Sequence, residues 1–340
     1  MRSAVCLLLL LAGLARADDH AVILIYHHVA EDTPASTSVT PARFAAQLEW
    51  LADHDYRVLP LPEVLDALAE RRALPPNSVA LTFDDAYLSV YNIARPMLEA
   101  RGWPYSVFVS TEFIDKGYGN YVSWPQLRRM AEQGATIGNH GVRHQSALTR
   151  LRGESKADWL ERFRLDALQA QERISAETGQ VPQIYAWPYG EYNAEVEAVI
   201  AELGWYGLGQ QSGAAGYDAP TTSVPRFPIA TNYADEADFA LRVRAEPLPV
   251  RILDAPERLL DSGDPPPLLR FRLDDGPFRS GAVNCYDSRG ERLELASDGS
   301  RLSIQSPTPL GRGRAKYTCT APHRDKPGVF GWYSHLWIVR

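Results

Sequence analysis

Val79-Ala80-Leu81-Thr82-Phe83-Asp84-Asp85 decides how this chain is read. Val79 to Phe83 is an apolar run that follows Pro75-Pro76-Asn77, and it reads as a buried strand. Two adjacent carboxylates at the end of a buried strand are costly unless something compensates their charge. A cation does this for one of them, and the other can then act as a base on water. An Asp-Asp step also starts turns and caps helices, so the pair draws its weight from three other stretches. These are Tyr26-His27, His140-x-x-x-His144 and Trp187-Pro188-Tyr189-Gly190.

Outward from that strand, apolar runs alternate with helical patterns from Ala21 to about Glu246. Strands are expected at Val22–Tyr26, Arg57–Leu59, Val79–Phe83, Tyr105–Val109, Ala135–Ile137, Gln183–Trp187 and Trp205–Gly209. Thr40-Pro41 starts a helix with Thr as cap and Pro at the first position, and Phe44, Leu48 and Leu51 mark its buried face. Further helices are expected over Pro62–Arg72, Leu88–Arg101 with a kink at Pro96, Ser123–Glu132, Lys156–Thr178 and Asn193–Leu203. This alternation makes a parallel sheet with helices outside, and about seven units suggest a closed or partly closed barrel. In such barrels the chemistry sits at the C-terminal strand ends, and each of the four motifs follows a strand.

After Pro247-Leu248-Pro249, read as a linker, the runs become short and turn-separated. That is the pattern of an all-β module of about 90 residues. The expected organisation is a signal segment over 1–17, a barrel over 18–246 and a β-sandwich-like accessory domain over 247–340. Arg2, the apolar stretch Ala4–Leu14 and Ala15-Arg16-Ala17 form a cleavable secretory signal, too short to span a bilayer. A periplasmic or secreted protein with no stable membrane insertion is therefore expected. The whole chain carries a net charge of −7; without residues 1–17, Lys+Arg falls from 35 to 33 against 42 Asp+Glu, giving −9. Such a chain has no basic stripe for nucleic acid and suits a neutral polymer, or one that becomes cationic. Cys6 leaves with the signal, and Cys285 and Cys319 remain to form a disulfide. Gly331-Trp332-Tyr333 and His335-Leu336-Trp337 offer either sugar-stacking faces or core aromatics of the module.

If 140–144 is one helical turn, the imidazoles of His140 and His144 share a face and can share a cation. Two histidines four apart also mark a polar helix face. Asp85 would complete a His-His-Asp site with open positions, which suits a catalytic metal. Zinc is the default; cobalt, nickel and ferrous iron also suit imidazole. Asp84 is then the candidate base, unless it only caps the next helix. His27 ends the first strand, where it can protonate a leaving amine or sit as a hydrogen-bonded core residue. The turn Trp187–Gly190 can aim the Tyr189 N–H at a developing oxyanion, with Trp187 and Tyr189 as sugar-stacking walls or simply as packing.

Together these motifs resemble the polysaccharide deacetylases of carbohydrate esterase family 4, the NodB-homology group. The family's T-F-D-D-G appears as Thr82-Phe83-Asp84-Asp85-Ala86, its His-x-x-x-His as His140 to His144, and its R-x-P-Y-G as Ala186-Trp187-Pro188-Tyr189-Gly190. The resemblance runs from Ala21 to about Asn232. It implies a distorted (β/α)₇ barrel and metal-dependent removal of N-acetyl groups from a glycan. It further implies Asp84 as base, His27 as acid, and Asp85, His140 and His144 as metal ligands. Ile25-Tyr26-His27-His28-Val29 looks like the family's last motif moved to the N-terminus. Arg162-Phe163-Arg164-Leu165-Asp166, ahead of Trp187–Glu191, fits the same arrangement. Both resemble the circularly permuted deacetylases of poly-β-1,6-N-acetylglucosamine, which implies an N-acetylated polysaccharide substrate and the exopolysaccharide export machinery as partner.

Three departures stand out. Ala86 replaces a glycine, tolerable unless φ is positive, and Gly141 replaces a Ser or Thr whose hydroxyl would brace the ligand loop. Ala186 stands where many members carry the arginine that orients the base, and Arg226 in Val224-Pro225-Arg226-Phe227-Pro228 is the candidate substitute. Arg226, Trp187, Pro188 and Tyr189 are grouped as the oxyanion and substrate-binding set. The competing expectations are a non-enzymatic glycan-binding protein on a degenerate barrel, and a deacetylase of peptidoglycan or chitin oligomers.

Overall fold

The computed structural model describes residues 18–231 and 234–340, so the signal expected over 1–17 lies outside the described residues. Within a nine-stranded sheet, seven parallel strands follow one another around the fold: β1 (His20–Tyr26), β2 (Ser78–Phe83), β3 (Ser106–Val109), β4 (Thr136–Asn139), β5 (Ile184–Ala186), β6 (Tyr206–Leu208) and β7 (Phe227–Pro228), with Arg57–Val58 parallel beside β2 and Ala215–Gly216 antiparallel beside β1. Each of β1 to β5 pairs with the next in that order except that β1 also takes β7 on its other side, and β5 pairs with β6. Val224 bridges Leu208 of β6, and three residues later Phe227 pairs with Leu24 of β1. The segment 224–228 thus joins β6 to β1 and curls the sheet into a distorted barrel.

The pleat sorts the side chains. Val22, Leu24, Tyr26, Val79, Leu81 and Phe83 share one cluster with Phe44, Leu48 and Leu51 of α1 (Pro41–Asp53). Ala21, Ile23, Ala80, Phe108, Ala186 and Leu208 face the other way and meet Leu61, Val64 and Leu65 of α2 (Leu61–Ala69). On β2 the same alternation sends Ala80, Thr82 and then Asp84 towards the interior.

Sequence signals set the helix ends. Thr40 accepts the Arg43 N–H at the start of α1. The helix expected over 88–101 opens into a π-helical stretch, Val90–Ala94, before the short α3 (Arg95–Glu99). Pro96 lacks the N–H that a regular ladder needs, and the wider turn accommodates the gap. Ser123 and Gln126 form a capping box on α4 (Trp124–Glu132). Ser155 caps α5 (Lys156–Thr178), which ends at Gly179 in the left-handed region. Asn193 caps α6 (Ala194–Glu202).

Beyond the barrel the chain forms two antiparallel-rich sheets. One carries β8 (Val250–Asp254), β9 (Leu269–Leu273) and β11 (Arg301–Ile304); the other carries β10 (Asn284–Tyr286), β12 (Gly313–Pro322) and β13 (Phe330–Val339). Between them lies a core that includes Phe271, Ile304, Tyr317 and Trp337, with the Cys285–Cys319 disulfide joining β10 to β12. Pro247-Leu248-Pro249 is not a free linker. Glu246 and Pro247 pair with Gly331 and Trp332, and Leu248 is buried in the module's core. Leu336 and Ile338 of β13 join Phe163, Tyr192 and Val196 in a single apolar cluster, and Trp332 packs edge-on against Phe227 at 5.2 Å. The aromatic residues of the Trp332–Trp337 stretch therefore serve packing, and Trp337 is fully buried. Among the described residues no helix is long and apolar enough to cross a membrane.

Candidate functional site

Asp84 and Asp85 leave β2 at its C-terminal end, where φ turns positive at Asp85 (69°) and again at Ala86 (55°). The reversal splits the two carboxylates. Asp84 keeps the strand's inward direction and is completely buried, whereas Asp85 turns towards the mouth. The alanine in place of glycine at 86 thus sits in the region that disfavours a Cβ.

Asp84 meets Arg226 in a two-pronged ion pair, Nη1 to Oδ1 and Nη2 to Oδ2, each 2.8 Å, with both side chains fully buried. Arg226 also gives its Nε–H to the Gly209 carbonyl and a weaker bond to Thr82 Oγ1. Burial alone would raise the Asp84 carboxyl, but the facing guanidinium overrides it and holds the group below the usual carboxylate range. Gln210 Nε2 stands 3.5 Å from Asp84 Oδ2. The arginine missing at 186 is therefore matched in space by Arg226 on the barrel-closing segment. With no exposed surface, Arg226 is out of a substrate's reach, which corrects its place in the substrate-binding set.

His140 follows β4 and His144 lies four residues on, but the stretch is a loop and not the expected helical turn. Gly141 (φ 76°) and His144 (φ 53°) break any helix. A Cβ at Gly141 would stand 2.9 Å from Asp166 Oδ2, so the hydroxyl expected as a brace has no room. Asp166 of α5 supplies the brace itself by accepting the Val142 N–H. Ser110 donates to the His140 carbonyl. The two rings end 4.8 Å apart, and His144 Nε2 is 3.0 Å from Asp85 Oδ1.

Asp85, His140 and His144 each present a ligand atom, all within 4.8 Å of one another. His140 Nδ1 lies 2.7 Å from the Ala186 carbonyl, which can only accept, so that nitrogen carries a proton and donates. Its Nε2 then faces Asp85 Oδ1 at 3.4 Å, and both buried atoms lack a hydrogen-bond partner among the described residues. A neutral imidazole lone pair opposed to a carboxylate oxygen is repulsive unless a positive charge lies between them. A backbone carbonyl orienting a ring by its far nitrogen is also the usual support for a histidine ligand. The residues present fit a divalent metal. Burial would raise the Asp85 carboxyl, but the two imidazoles that face it override this and hold the group well below its ordinary value.

His27 follows β1 and is half-buried. Burial pulls its pKa below the ordinary value, against the attraction of Asp84 and Asp85. His28 stacks on Tyr87 at 3.6 Å and Tyr87 on Tyr121 at 5.1 Å, an aromatic wall beside the cluster. Tyr189 is 47% exposed, has φ 60°, and sets its ring edge-on to His144 at 4.4 Å. Trp187 departs from expectation. It is fully buried, packs against Phe163, Tyr185 and Tyr192, and gives its indole N–H to the Thr222 carbonyl. Its faces are used up, so it is no wall for a sugar; Pro188 is buried beside it. Gln210 went unnoticed in the sequence, although its position just past β6 was a signal.

The polysaccharide deacetylase family profile matches residues 71–208, which hold the Asp-Asp, His-x-x-x-His and Trp-Pro-Tyr-Gly motifs. The poly-β-1,6-N-acetyl-D-glucosamine N-deacetylase of Escherichia coli (strain K12) is 26% identical over 249 residues, covering 62% of this chain and 37% of its own length. The chain thus spans little more than a third of that relative. The Staphylococcus epidermidis protein of the same name is 26% identical over 234 residues, covering 62% of this chain and 80% of its own. Among solved structures, the BpsB deacetylase domain from Bordetella bronchiseptica superposes with a TM-score of 0.54 at 27% identity, covering 63% of this chain and 97% of that one. IcaB from Ammonifex degensii has the same fold, with a TM-score of 0.55 at 24% identity, covering 65% and 97%. Motif set, matched segment and fold agree, and the chain carries a polysaccharide deacetylase domain.

Proposed function

We propose that this chain removes N-acetyl groups from an N-acetylated exopolysaccharide of the poly-N-acetylglucosamine type, releasing acetate, and that it does so outside the cytoplasm. The observation that carries the reading is the meeting of Asp85, His140 and His144 beside a buried Asp84 already paired with arginine. The names of the Escherichia coli and Staphylococcus epidermidis relatives support the substrate class. Residues 18–246 form the catalytic unit in this reading, and 247–340 an accessory module.

Asp85, His140 and His144 would hold a divalent metal, zinc first by donor set, with cobalt, nickel or iron as alternatives; when bound it supplies Lewis-acid polarisation of the acetamide carbonyl and acidifies water. Asp84 is the general base. Arg226 keeps it ionised, and it takes the proton of the attacking water. The Tyr189 N–H, on a turn whose left-handed backbone re-aims the amide, is the oxyanion donor. His27 is the acid. Beside the carboxylates of Asp84 and Asp85, which favour its charged form, it gives its proton to the departing amine as the C–N bond breaks. The products are acetate and a free amine on the sugar. The tyrosine ring of Tyr189 and the Tyr87–Tyr121 wall offer apolar faces for the sugar rings.

The test is acetate release from β-1,6-linked N-acetylglucosamine oligomers by metal-reconstituted protein, with chitin and peptidoglycan fragments alongside. Asp84→Asn is expected to lower kcat by about 10²- to 10⁴-fold, the range for loss of a general base. Elemental analysis should still find the metal bound. Undiminished turnover in that variant would remove Asp84 from the role, and no acetate from any of these glycans with wild-type protein would overturn the proposal.

A further inference from the structure

The C-terminal module reaches the barrel mouth through one strand. On β12 the residues Tyr317, Cys319 and Ala321 face the module's core, so by alternation Arg314 and Lys316 point the other way. Lys316 gives its ammonium to Ser212 Oγ at 3.1 Å. Arg314 Nη1 donates to the Tyr189 carbonyl at 2.6 Å and to Gln210 Oε1. The amide of Gln210 turns its nitrogen to Asp84. Gly190 is pressed against Gln210, where a Cβ would stand 2.7 Å from the Gln210 Cβ. One guanidinium, 125 residues away along the chain, therefore ties together the turn that carries the Tyr189 amide and the glutamine that touches Asp84. β12 is held there by its pairing with β13, whose Leu336 and Ile338 share a cluster with barrel residues, and Arg258 of the module lies over the Tyr192 ring.

We infer that Arg314 of the C-terminal module is a positioning residue for the deacetylase site, fixing the Tyr189–Gly190 turn and Gln210, so that the module completes the mouth and is no separate appendage. The inference rests on the deacetylase reading for its kinetic arm and stands apart from it in the other. Tyr189 holds a left-handed backbone that costs about 1–2 kcal/mol for a residue with a Cβ, and such a conformation persists only where its surroundings enforce it. Capture of its carbonyl by a charged donor is such an enforcement.

Arg314→Met is the probe, with Lys316→Met as a control on the same strand and Gln210→Ala as partner. Hydrogen exchange on the metal-free protein should show faster exchange in peptides spanning 187–191 for Arg314→Met, while Lys316→Met leaves them unchanged. On oligomeric substrate Arg314→Met should lose about tenfold in kcat, the size expected for one charge-assisted hydrogen bond, with KM within about twofold. The double variant Arg314→Met/Gln210→Ala should fall no further than Arg314→Met alone. Unchanged exchange at 187–191 overturns the inference, and so does an equal kcat loss in Lys316→Met, which would reduce both residues to interface glue. If wild-type protein releases no acetate, the deacetylase reading fails, and the exchange result still decides the place of Arg314.

Discussion

Arg226→Met removes the cation from a fully buried ion pair, and its cost can be worked from the contacts. The change deletes two 2.8 Å bonds to Asp84, one to the Gly209 carbonyl and one to Thr82 Oγ1. Thr82 keeps its own bond to the Leu24 carbonyl and loses least. The carboxylate dominates, because breaking a buried pair by removing one partner leaves an uncompensated charge and costs about 3–5 kcal/mol. That lowers Tm by on the order of 10 °C. Replacing both partners tests the cause. Asp84→Leu/Arg226→Met leaves no buried charge and should recover most of the loss, since apolar replacement of a whole buried pair is often near neutral.

The pH dependence has a definite sign. In the wild type the folded-state pKa of Asp84 is depressed, so its stabilising contribution is present above the unfolded value of about 4 and is lost as pH falls through the folded one. In Arg226→Met, burial without the guanidinium raises it instead, and the protonated acid becomes the stable form. The gap between variant and wild type should therefore be largest at pH 7 and shrink towards pH 4. Thermal unfolding of metal-free protein by circular dichroism at several pH values reads both effects. A loss below about 1 kcal/mol at pH 7, in the range of an exposed pair, would refute the claim that the pair is buried and essential.

Two further outcomes follow from the site. Asp85→Ala and His144→Ala should each abolish stoichiometric metal by elemental analysis, and should lose the stabilisation of about 2.7 kcal/mol that metal at a hundred times its Kd gives the wild type; a variant that keeps both would break up the proposed ligand set. Gly141→Ala puts a Cβ at φ 76° against the Asp166 carboxylate, and should cost about 1–3 kcal/mol in unfolding experiments and weaken metal binding by shifting the loop between the histidines; an unchanged Tm would show that the loop yields freely.

Local patterns were read well where local chemistry governs. The helix expected over Lys156–Thr178 has those bounds, and the runs expected as strands at 79–83 and 183–187 became β2 and β5 because burial and alternation are written into neighbouring residues. The two histidines meet Asp85 without forming a helical turn. Spacing of four fits a helix, whereas two positive φ values make a loop that brings the same rings to Asp85. Trp187 illustrates a limit of composition: an aromatic in a strand-end turn can stack on a sugar or on its neighbours, and only the position of Phe163, Tyr192 and Thr222 settles that it packs.

By itself the amino-acid order determined which side chains are able to carry the chemistry, since the kinds of group and their places at strand ends are properties of short segments. Tertiary structure alone decided their partners. Arg226 comes to Asp84 from 142 residues away because segment 224–228 closes the barrel, and Arg314 comes to Tyr189 because β13 buries Leu336 and Ile338 against the barrel's outer surface. Charge compensation in a dry interior acts through space over a few ångströms, and distance along the chain has no bearing on it.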